Sequence, residues 1–511
     1  MHKPQVRDEF DLPTHELASS FPFRRVAEKS RVFCNRTLKL RDVRWLGFDM
    51  DYTLAIYDQE AMDELSIRST TQKLVARGYP DFIRDLPPLT HFPVRGLIVD
   101  KENGNVLKRD RYKYVCKAYH GLRQLSKAEL NALYHSQKVR TTGERYYWVD
   151  TLYALSEVAL YVAVIDGMEQ RGLTVQYAQL FNDIRACIDE AHRDGTILKE
   201  VVSDLPRFLR RDPKLPQTLH KWRSAGKKLF LLTNSHEWYT DTLMTYLIGD
   251  ALPEYASWRG LFDVMVCASR KPTFFAEGSL FTPVGVEPPA PTTTPSERGR
   301  VYEGGNLKGL EEVLGVPGDQ VLYVGDHIYG DILRSKKDSA WRTAMIIQEL
   351  DTEIEAHRAC VAEYDNDTAI QTARAALEEE LRHDQARLKD LQKHYDEAAR
   401  AGKPAAALED EKSRAKTRVE RIRERLLKLK AESDALELRL AARFHPYWGS
   451  LMKEETEQSL FGAQVEDYAC VYTSRVSNFL NYSPQQKFRS RRDRMAHELE
   501  EESSADRVSQ V

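Results

Sequence analysis

The sequence has little of what would mark it for export, for a membrane or for nucleic acid. Its six cysteines, at positions 34, 116, 187, 267, 360 and 470, form no CxxC pair and no metal-finger spacing. Thiols scattered in this way exclude a disulfide framework and fit a reducing compartment, where they serve as small core side chains. No run approaches the roughly 18 consecutive apolar residues of a membrane helix. The opening stretch, MHKPQVRDEFDLPTHELASS, is polar and acidic and has no apolar signal-peptide segment, so the cytoplasm is the expected location. The formal net charge is only −3, which gives no global basic footprint for nucleic acid. A phosphorylated small molecule would need only a local positive site.

What is there is an α/β pattern. A chain of 511 residues is too long for one ordinary domain and suggests two or three. VRWLGFD (43–49) is a short apolar run ending on an acid, as a buried strand would be. KKLFLLTN (227–234), FDVMVCASRK (262–271) and QVLYVGD (320–326) have the same form, and WRTAMII (341–347) predicts a fifth strand. Helical stretches separate them, which implies a Rossmann-like parallel sheet with ligands beyond its carboxyl ends. Between the first two strands lie about 180 residues, far more than a crossover needs. Residues 55–225 are therefore expected to form an inserted α+β cap. It would hold an amphipathic helix over 175–192 and a hairpin over 91–110 turned at Glu102-Asn103-Gly104.

The core would comprise 1–54 and 226–352, with 283–299 (PVGVEPPAPTTTPSERG) as a Pro/Thr loop. Residues 353–443 are rich in Ala, Glu, Lys, Leu and Arg. Leu377, Leu381, Asp384, Leu388, Leu391, Tyr395 and Ala398 follow a coiled-coil spacing, as do Ala415, Val419, Ile422, Leu426, Leu429, Ser433, Leu436 and Leu440. Ala401-Gly402-Lys403-Pro404 breaks the pattern, so an antiparallel helical hairpin is expected. Residues 444–485 read as a helical part packed on the core, and 486–511 as a disordered tail.

The chemistry concentrates at the predicted strand ends. Asp49 and Asp51 share the turn after the first strand. The first carboxylate can attack phosphorus, and the second can protonate the leaving oxygen and then deprotonate water. Clustered carboxylates facing a phosphate dianion call for a hard cation, and Mg²⁺ suits such oxygen donors. Thr233 and Asn234 end the second strand and offer a hydroxyl and an amide to phosphate oxygens. Lys271 follows the third and can neutralise phosphate charge. Asp326 and Asp331, in GDHIYGD after the fourth, would complete the metal shell. A lone DxD is usually a turn and a lone lysine usually solvated, but four polar clusters at four successive strand ends, in this order, resist a purely structural reading.

This ordered set resembles the haloacid dehalogenase superfamily of aspartate-nucleophile phosphatases. The resemblance implies that Asp49 is phosphorylated, that Asp51 is the acid/base and meets Mg²⁺ through its backbone carbonyl, that Thr233 and Lys271 bind the phosphoryl group, and that Asp326 and Asp331 help hold the metal. GFDMDYTLAIY (47–57), RGLIVDKENGNVLK (95–108), LLTNSHEWYTDTLMTYL (231–247) and LYVGDHIYGDILRSKK (322–337) are similar to the cytosolic purine 5'-nucleotidases. Substrates of that family are purine nucleoside monophosphates, with IMP and GMP preferred. Matching its nucleotide-contacting positions are Tyr153, Arg185, Asp189, His192 and Lys199, of which Arg185, Asp189 and His192 share one helical face. Ala154 stands where the family carries an amide, and Arg193 where it carries an aromatic. The resemblance further implies an adenine-nucleotide effector, with Lys337 matching and Asp150 departing from that pattern, and assembly as a dimer or tetramer. Phosphoryl transfer to another nucleoside would need only an acceptor hydroxyl in place of water. Two alternatives stay open at this point: a phosphatase for another small metabolite, and a scaffold with a vestigial phosphatase domain.

Overall fold

The computed structural model describes residues 26–490 except 136–137, 141–142, 250, 287–289, 296–297, 334–338 and 405. Lys337, residues 1–25, parts of the Pro/Thr loop and the tail from 491 onward lie outside the described residues.

All five strands expected from the sequence form, because each is an apolar run that can be buried on both faces. The main sheet comprises β1 (Phe33–Cys34), β2 (Trp45–Phe48), β3 (Lys228–Leu232), β4 (Val264–Cys267), β5 (Phe281–Pro283), β6 (Val301–Gly304), β7 (Val321–Gly325), β8 (Arg342–Ile346) and β9 (Val471–Thr473). Their spatial order is β1-β9-β8-β7-β2-β3-β4-β6-β5. Only the two edge strands run antiparallel to their neighbours, β1 against β9 and β5 against β6. β2 is central and pairs in parallel with β3 on one side and β7 on the other. The turns that follow these three strands are therefore adjacent in space. Gly47 admits this packing, since a Cβ there would lie 2.0 Å from the Phe230 ring.

The segment after β2 leaves and re-enters the core through a two-stranded neck in which Ile56–Tyr57 pairs antiparallel with Leu209–Arg210. Between these strands lies the α+β cap. Its five-stranded antiparallel sheet includes the expected hairpin, with Ile98–Asp100 against Asn105–Arg109 and Gly104 at φ +68° in the turn. Its helical layer contains α1 (Gln59–Ala76), α2 (Ala154–Glu169) and α3 (Tyr177–Arg193).

Buried polar bonds fasten this cap to the rest of the molecule. Lys108 Nζ donates to the carbonyls of Trp448, Ser450 and Lys453 at 2.7, 2.7 and 2.9 Å and pairs with Glu454 at 2.6 Å. Trp448 Nε1 donates to Phe92 O at 2.7 Å. An unpaired ammonium at such depth would be strongly penalised, so these partners fix where Lys108 can sit.

Two expectations need correction. The helical region begins at α4 (Leu350–Ala359), a separate helix whose Leu350 and Ile354 pack with Ile347 and Leu451 of the core; the hairpin proper is α5 (Val361–Arg400) and α6 (Ala406–Phe444). The 444–485 segment is also not wholly helical. It contains a helix at Leu460–Tyr468, but β9 extends the sheet, since Val471 and its neighbours continue the apolar ladder beside β8.

Along the hairpin every seam position read from the spacing is buried or half-buried. Asp384 in that seam meets Arg418 at 2.8 Å, and Ser433 Oγ accepts from Gln371 Nε2 at 3.2 Å. Such polar seam contacts set helix register at some expense of stability. Leu436 is 1% exposed and Leu438 is 74% exposed, so the two leucines test this register directly. Leu436→Ala is expected to reduce protection of the hairpin amides by about 2–4 kcal/mol in hydrogen exchange, and Leu438→Ala by under about 0.5 kcal/mol.

Candidate active site

β2, β3 and β7 deliver their following turns to one point. Asp49 N donates to Val324 O at 2.9 Å, which continues the β2–β7 ladder into the turn that carries Asp49 and Asp51. Thr233 N donates to Val266 O at 2.9 Å and does the same between β3 and β4. Tyr52 at φ +55°, Ala268 at +43° and Arg270 at +59° occupy the left-handed region without being glycine. Strained backbone of this kind collects where loops must aim side chains.

Lys271 holds the centre. Its ammonium lies 2.9 Å from Asp49 Oδ1 and 2.6 Å from Asp331 Oδ1, and it donates to Tyr323 OH at 3.0 Å. Burial opposes its charge, but Asp331 and Asp49 outweigh burial and hold its pKa well above the ordinary lysine value. Asn234, expected to meet phosphate, is engaged otherwise. Its Oδ1 accepts from Lys271 N at 2.6 Å and from Ser269 Oγ at 3.0 Å, while its Nδ2 donates to Lys271 O at 2.9 Å. Asn234 thus clamps the loop that carries the lysine. Thr233 is fully buried, and its Oγ1 accepts from Ser235 N at 3.1 Å.

Asp49, Asp326 and Asp331 are all buried and can bring one carboxylate oxygen each within 4.8 Å of one another. Gly325 permits this, because a Cβ there would stand 2.5 Å from the Asp331 carboxylate. Burial raises Asp49 well above the ordinary carboxylate range, and Asp331, Asp51 and Asp326 add to it against the pull of Lys271. Asp326 is pushed up to about 7 by burial and then by Asp331, with Arg95 opposing. Three buried carboxylates against one lysine leave a surplus of negative charge, and the donors are all oxygen. This set fits a hard divalent cation such as Mg²⁺.

Asp51 faces a different environment. Its Oδ1 accepts from Tyr57 OH at 2.6 Å and its Oδ2 from Ser235 Oγ at 2.6 Å. Burial raises its pKa despite these hydroxyls. A carboxyl held among hydroxyls, with a raised pKa, can release and recover a proton beside the site. Tyr57 in turn shares a hydrogen bond with Tyr239 at 3.0 Å. Tyr57, Ser235 and Tyr239 were not singled out from sequence, although Ser235 directly follows the Thr-Asn pair.

Arg95 was likewise not singled out from sequence. It is fully buried, bidentate to Glu349 at 2.7 and 2.6 Å, and donates to Asp326 O at 2.8 Å. One cap arginine therefore holds the backbone of an aspartate in the carboxylate cluster. His327, beside that aspartate, bonds Asp150 of the cap at 2.9 Å.

The expected base-recognition residues are only partly assembled. The Tyr153 ring stands edge-on to Tyr52 at 4.8 Å and to His192 at 5.9 Å, which joins the catalytic turn to α3. Arg185 covers the Tyr147 ring at 4.6 Å and lies 3.5 Å from Glu157. Asp189 and Lys199 are exposed, and among the described residues neither forms an ion pair with this group.

A parallel sheet whose central strand ends gather an acid triad and a buried lysine beneath an inserted cap defines the haloacid dehalogenase class of architecture. The profile of the 5' nucleotidase family matches residues 32–500, and the chain belongs to that family. It is a phosphoric monoester hydrolase. A 5'-nucleotidase domain-containing protein of Dictyostelium discoideum is 27% identical over 96% of this chain and 81% of its own length. The 5'-nucleotidase domain-containing protein 2 of Homo sapiens is 27% identical over 97% of this chain and 89% of its own. Among solved structures, a predicted phosphoglycolate phosphatase from Haemophilus somnus is 14% identical, covering 60% of this chain and 85% of its own, at a TM-score of 0.27. A likeness that low carries nothing about activity.

The raised carboxyls give a pH signature. Asp326 and Glu157 are pushed up to about 7 and Asp63 to about 8, burial being the first cause in each. The folded state then binds more protons than the unfolded state above about pH 4, so stability falls as pH rises towards 8. Metal-free protein is expected to melt at a lower temperature at pH 8 than at pH 5. Added Mg²⁺ should raise the midpoint more at pH 8, where the triad is ionised. Differential scanning calorimetry at both pH values checks this.

Proposed function

We propose that the chain hydrolyses purine nucleoside 5'-monophosphates, through a phosphoryl group carried transiently on Asp49. The observation that carries this reading is Lys271 Nζ at 2.9 Å from Asp49 Oδ1, inside a cluster of three carboxylates. Lys271 keeps the Asp49 carboxylate oriented and neutralises charge gathering on the phosphoryl oxygens. Asp49 attacks phosphorus, and the bond to the ester oxygen breaks. Asp51 gives its proton to the leaving 5' oxygen, and its carboxylate then takes one from the water that attacks the phospho-aspartate. Thr233 lies at the adjacent strand end, where its hydroxyl can meet a phosphoryl oxygen. Asp49, Asp326 and the Asp51 backbone carbonyl would hold Mg²⁺, with Asp331 in support. Bound there, the ion supplies charge neutralisation between carboxylates and phosphate. A nucleoside hydroxyl entering in place of water would make the same site a phosphotransferase. The family match and the relatives' names support a nucleotide substrate. Tyr153 and His192, edge to face in the cap, offer aromatic surface for a purine.

On this reading Asp49→Asn reduces kcat for inosine monophosphate by at least about 10⁴-fold, and Asp51→Asn by about 10²–10⁴-fold. Chelation should remove activity and Mg²⁺ restore it. Steady-state phosphate release measures all three, and an active Asp49→Asn enzyme would refute the covalent route.

Asn234→Ala should lower kcat about tenfold or more through loss of its grip on Lys271, with KM changed far less. A rise in KM with kcat retained would instead make Asn234 a phosphate ligand.

A further inference from the structure

The hydroxyls around Asp51 run in one direction. Asp51 Oδ1 accepts from Tyr57 OH at 2.6 Å, and Tyr57 OH lies 3.0 Å from Tyr239 OH. A phenol carries a single hydrogen. Once Tyr57 has directed its hydrogen at the ionised carboxylate, only Tyr239 can supply the hydrogen between the two phenols. The chain therefore reads from Tyr239 to Tyr57 to Asp51. The other oxygen, Oδ2, accepts from Ser235 Oγ at 2.6 Å. A serine hydroxyl rotates between donating and accepting, so that side serves the carboxyl with or without its proton. Tyr57 and Tyr239 are each 2% exposed, which leaves no room for water to replace either phenol.

These three hydroxyls come from different parts of the fold. Tyr57 lies in the neck, opposite Leu209, where the chain leaves the core for the cap. Its ring packs against Tyr52 at 4.9 Å. Tyr239 sits in the first turn of the helix Glu237–Ile248, just after Ser235. One oxygen of Asp51 is thus held from the neck and the other from the core loop beyond Thr233. Lys271 pairs with Asp49 and Asp331, and among the described residues no ion pair includes Asp51. Short hydrogen bonds from hydroxyls to a carboxylate are strong and directional, and here they fix where the carboxyl points.

We propose that Tyr57, with Tyr239 donating behind it, is a positioning residue for Asp51, so that the neck of the cap sets the geometry of proton transfer to the leaving group. The inference rests on the reading of Asp51 as acid and base. In the first step an Asp49 oxygen bonds phosphorus, the bond from phosphorus to the ester oxygen breaks, and the Asp51 hydrogen passes to that oxygen. Tyr57 then donates to the carboxylate left behind. In the second step the carboxylate takes a hydrogen from the attacking water as the bond from phosphorus to Asp49 breaks. A misplaced acid costs most when the leaving oxygen is basic, as a nucleoside 5' oxygen is, and least when it departs as a stable anion such as p-nitrophenolate.

The test is the ratio of kcat/KM for IMP to kcat/KM for p-nitrophenyl phosphate, since kcat/KM covers only the steps up to departure of the leaving group. Tyr57→Phe keeps the ring and removes the hydroxyl, and should lower this ratio at least about tenfold. Tyr239→Phe should lower it about threefold, and the double variant should fall no more than about twofold below Tyr57→Phe, because Tyr239 acts through Tyr57. Should Tyr57→Phe fail to fold, Tyr239→Phe reads the same ratio. An equal loss on both substrates, as a merely structural role would give, or an unchanged ratio, would overturn the inference, and so would independent, multiplicative effects of the two changes. Asp51→Asn separates this inference from the reading beneath it. If Asp51→Asn leaves the ratio unchanged, the acid/base role falls and the inference with it; if Asp51→Asn collapses the ratio and Tyr57→Phe does not, the inference alone falls. Turnover of p-nitrophenyl phosphate without turnover of IMP would defeat the nucleotide reading, and the ratio is then taken with a simple alkyl phosphate, whose leaving oxygen is also basic.

Discussion

The ammonium of Lys271, buried between Asp49 and Asp331, is the contact on which the site depends. It brings charge into a place where burial alone would protonate the carboxylates. Its own position is over-determined: Asn234 holds its backbone from both sides, and Tyr323 receives its third proton. Removing the lysine would leave three facing carboxylates with no cation among the described residues paired with Asp49. The same imbalance explains why the site invites a divalent ion. One positive charge cannot balance three negative ones, and a hard cation can complete the balance with oxygen ligands alone.

Around that centre the fold acts as a frame for two distances, from Asp49 to the neighbouring carboxylates and from Asp49 to the cap. The first is set within the sheet, where β2, β3 and β7 are immediate neighbours. The second depends on how firmly the cap is attached. The neck at Ile56–Tyr57 and Leu209–Arg210, the Lys108 bonds to the 448–454 stretch and the Arg95 link to Glu349 and Asp326 fix the cap at separate points. Buried charged pairs add little net stability, but breaking one is costly, so they specify a single arrangement. Arg95 is informative because it touches both functions, belonging to the cap while holding the backbone of Asp326.

Much of this was legible in the sequence, and the reasons are physical. Core strands announce themselves as apolar runs ending in polar residues, and the polar ends are where ligands bind in a parallel sheet. β1, β5, β6 and β9 are two to four residues long, too short for a periodic signal. The hairpin seam was readable because sustained spacing is the strongest local pattern a sequence carries. Its start was placed early, at 353 instead of Val361, because Leu350 and Ile354 belong to a separate core-facing helix of similar composition. The hydroxyl cage of Asp51 was not readable: Tyr57, Ser235 and Tyr239 come from separate segments, and nothing local marks them as neighbours. Glu157 escaped notice because it lies within an apolar helix, ALSEVALYVAV, where a single acid resembles a surface position. Only the α2–α3 packing shows that it is buried.

The central claim is that phosphorus is transferred to one carboxylate before water receives it. Rapid acid quench of the enzyme during turnover of inosine monophosphate, followed by borohydride trapping and peptide mass spectrometry, tests this directly. The account predicts a trapped adduct on the peptide carrying Asp49, at that residue and absent without substrate. Steady turnover with Asp49 unmodified at every quench time would contradict it.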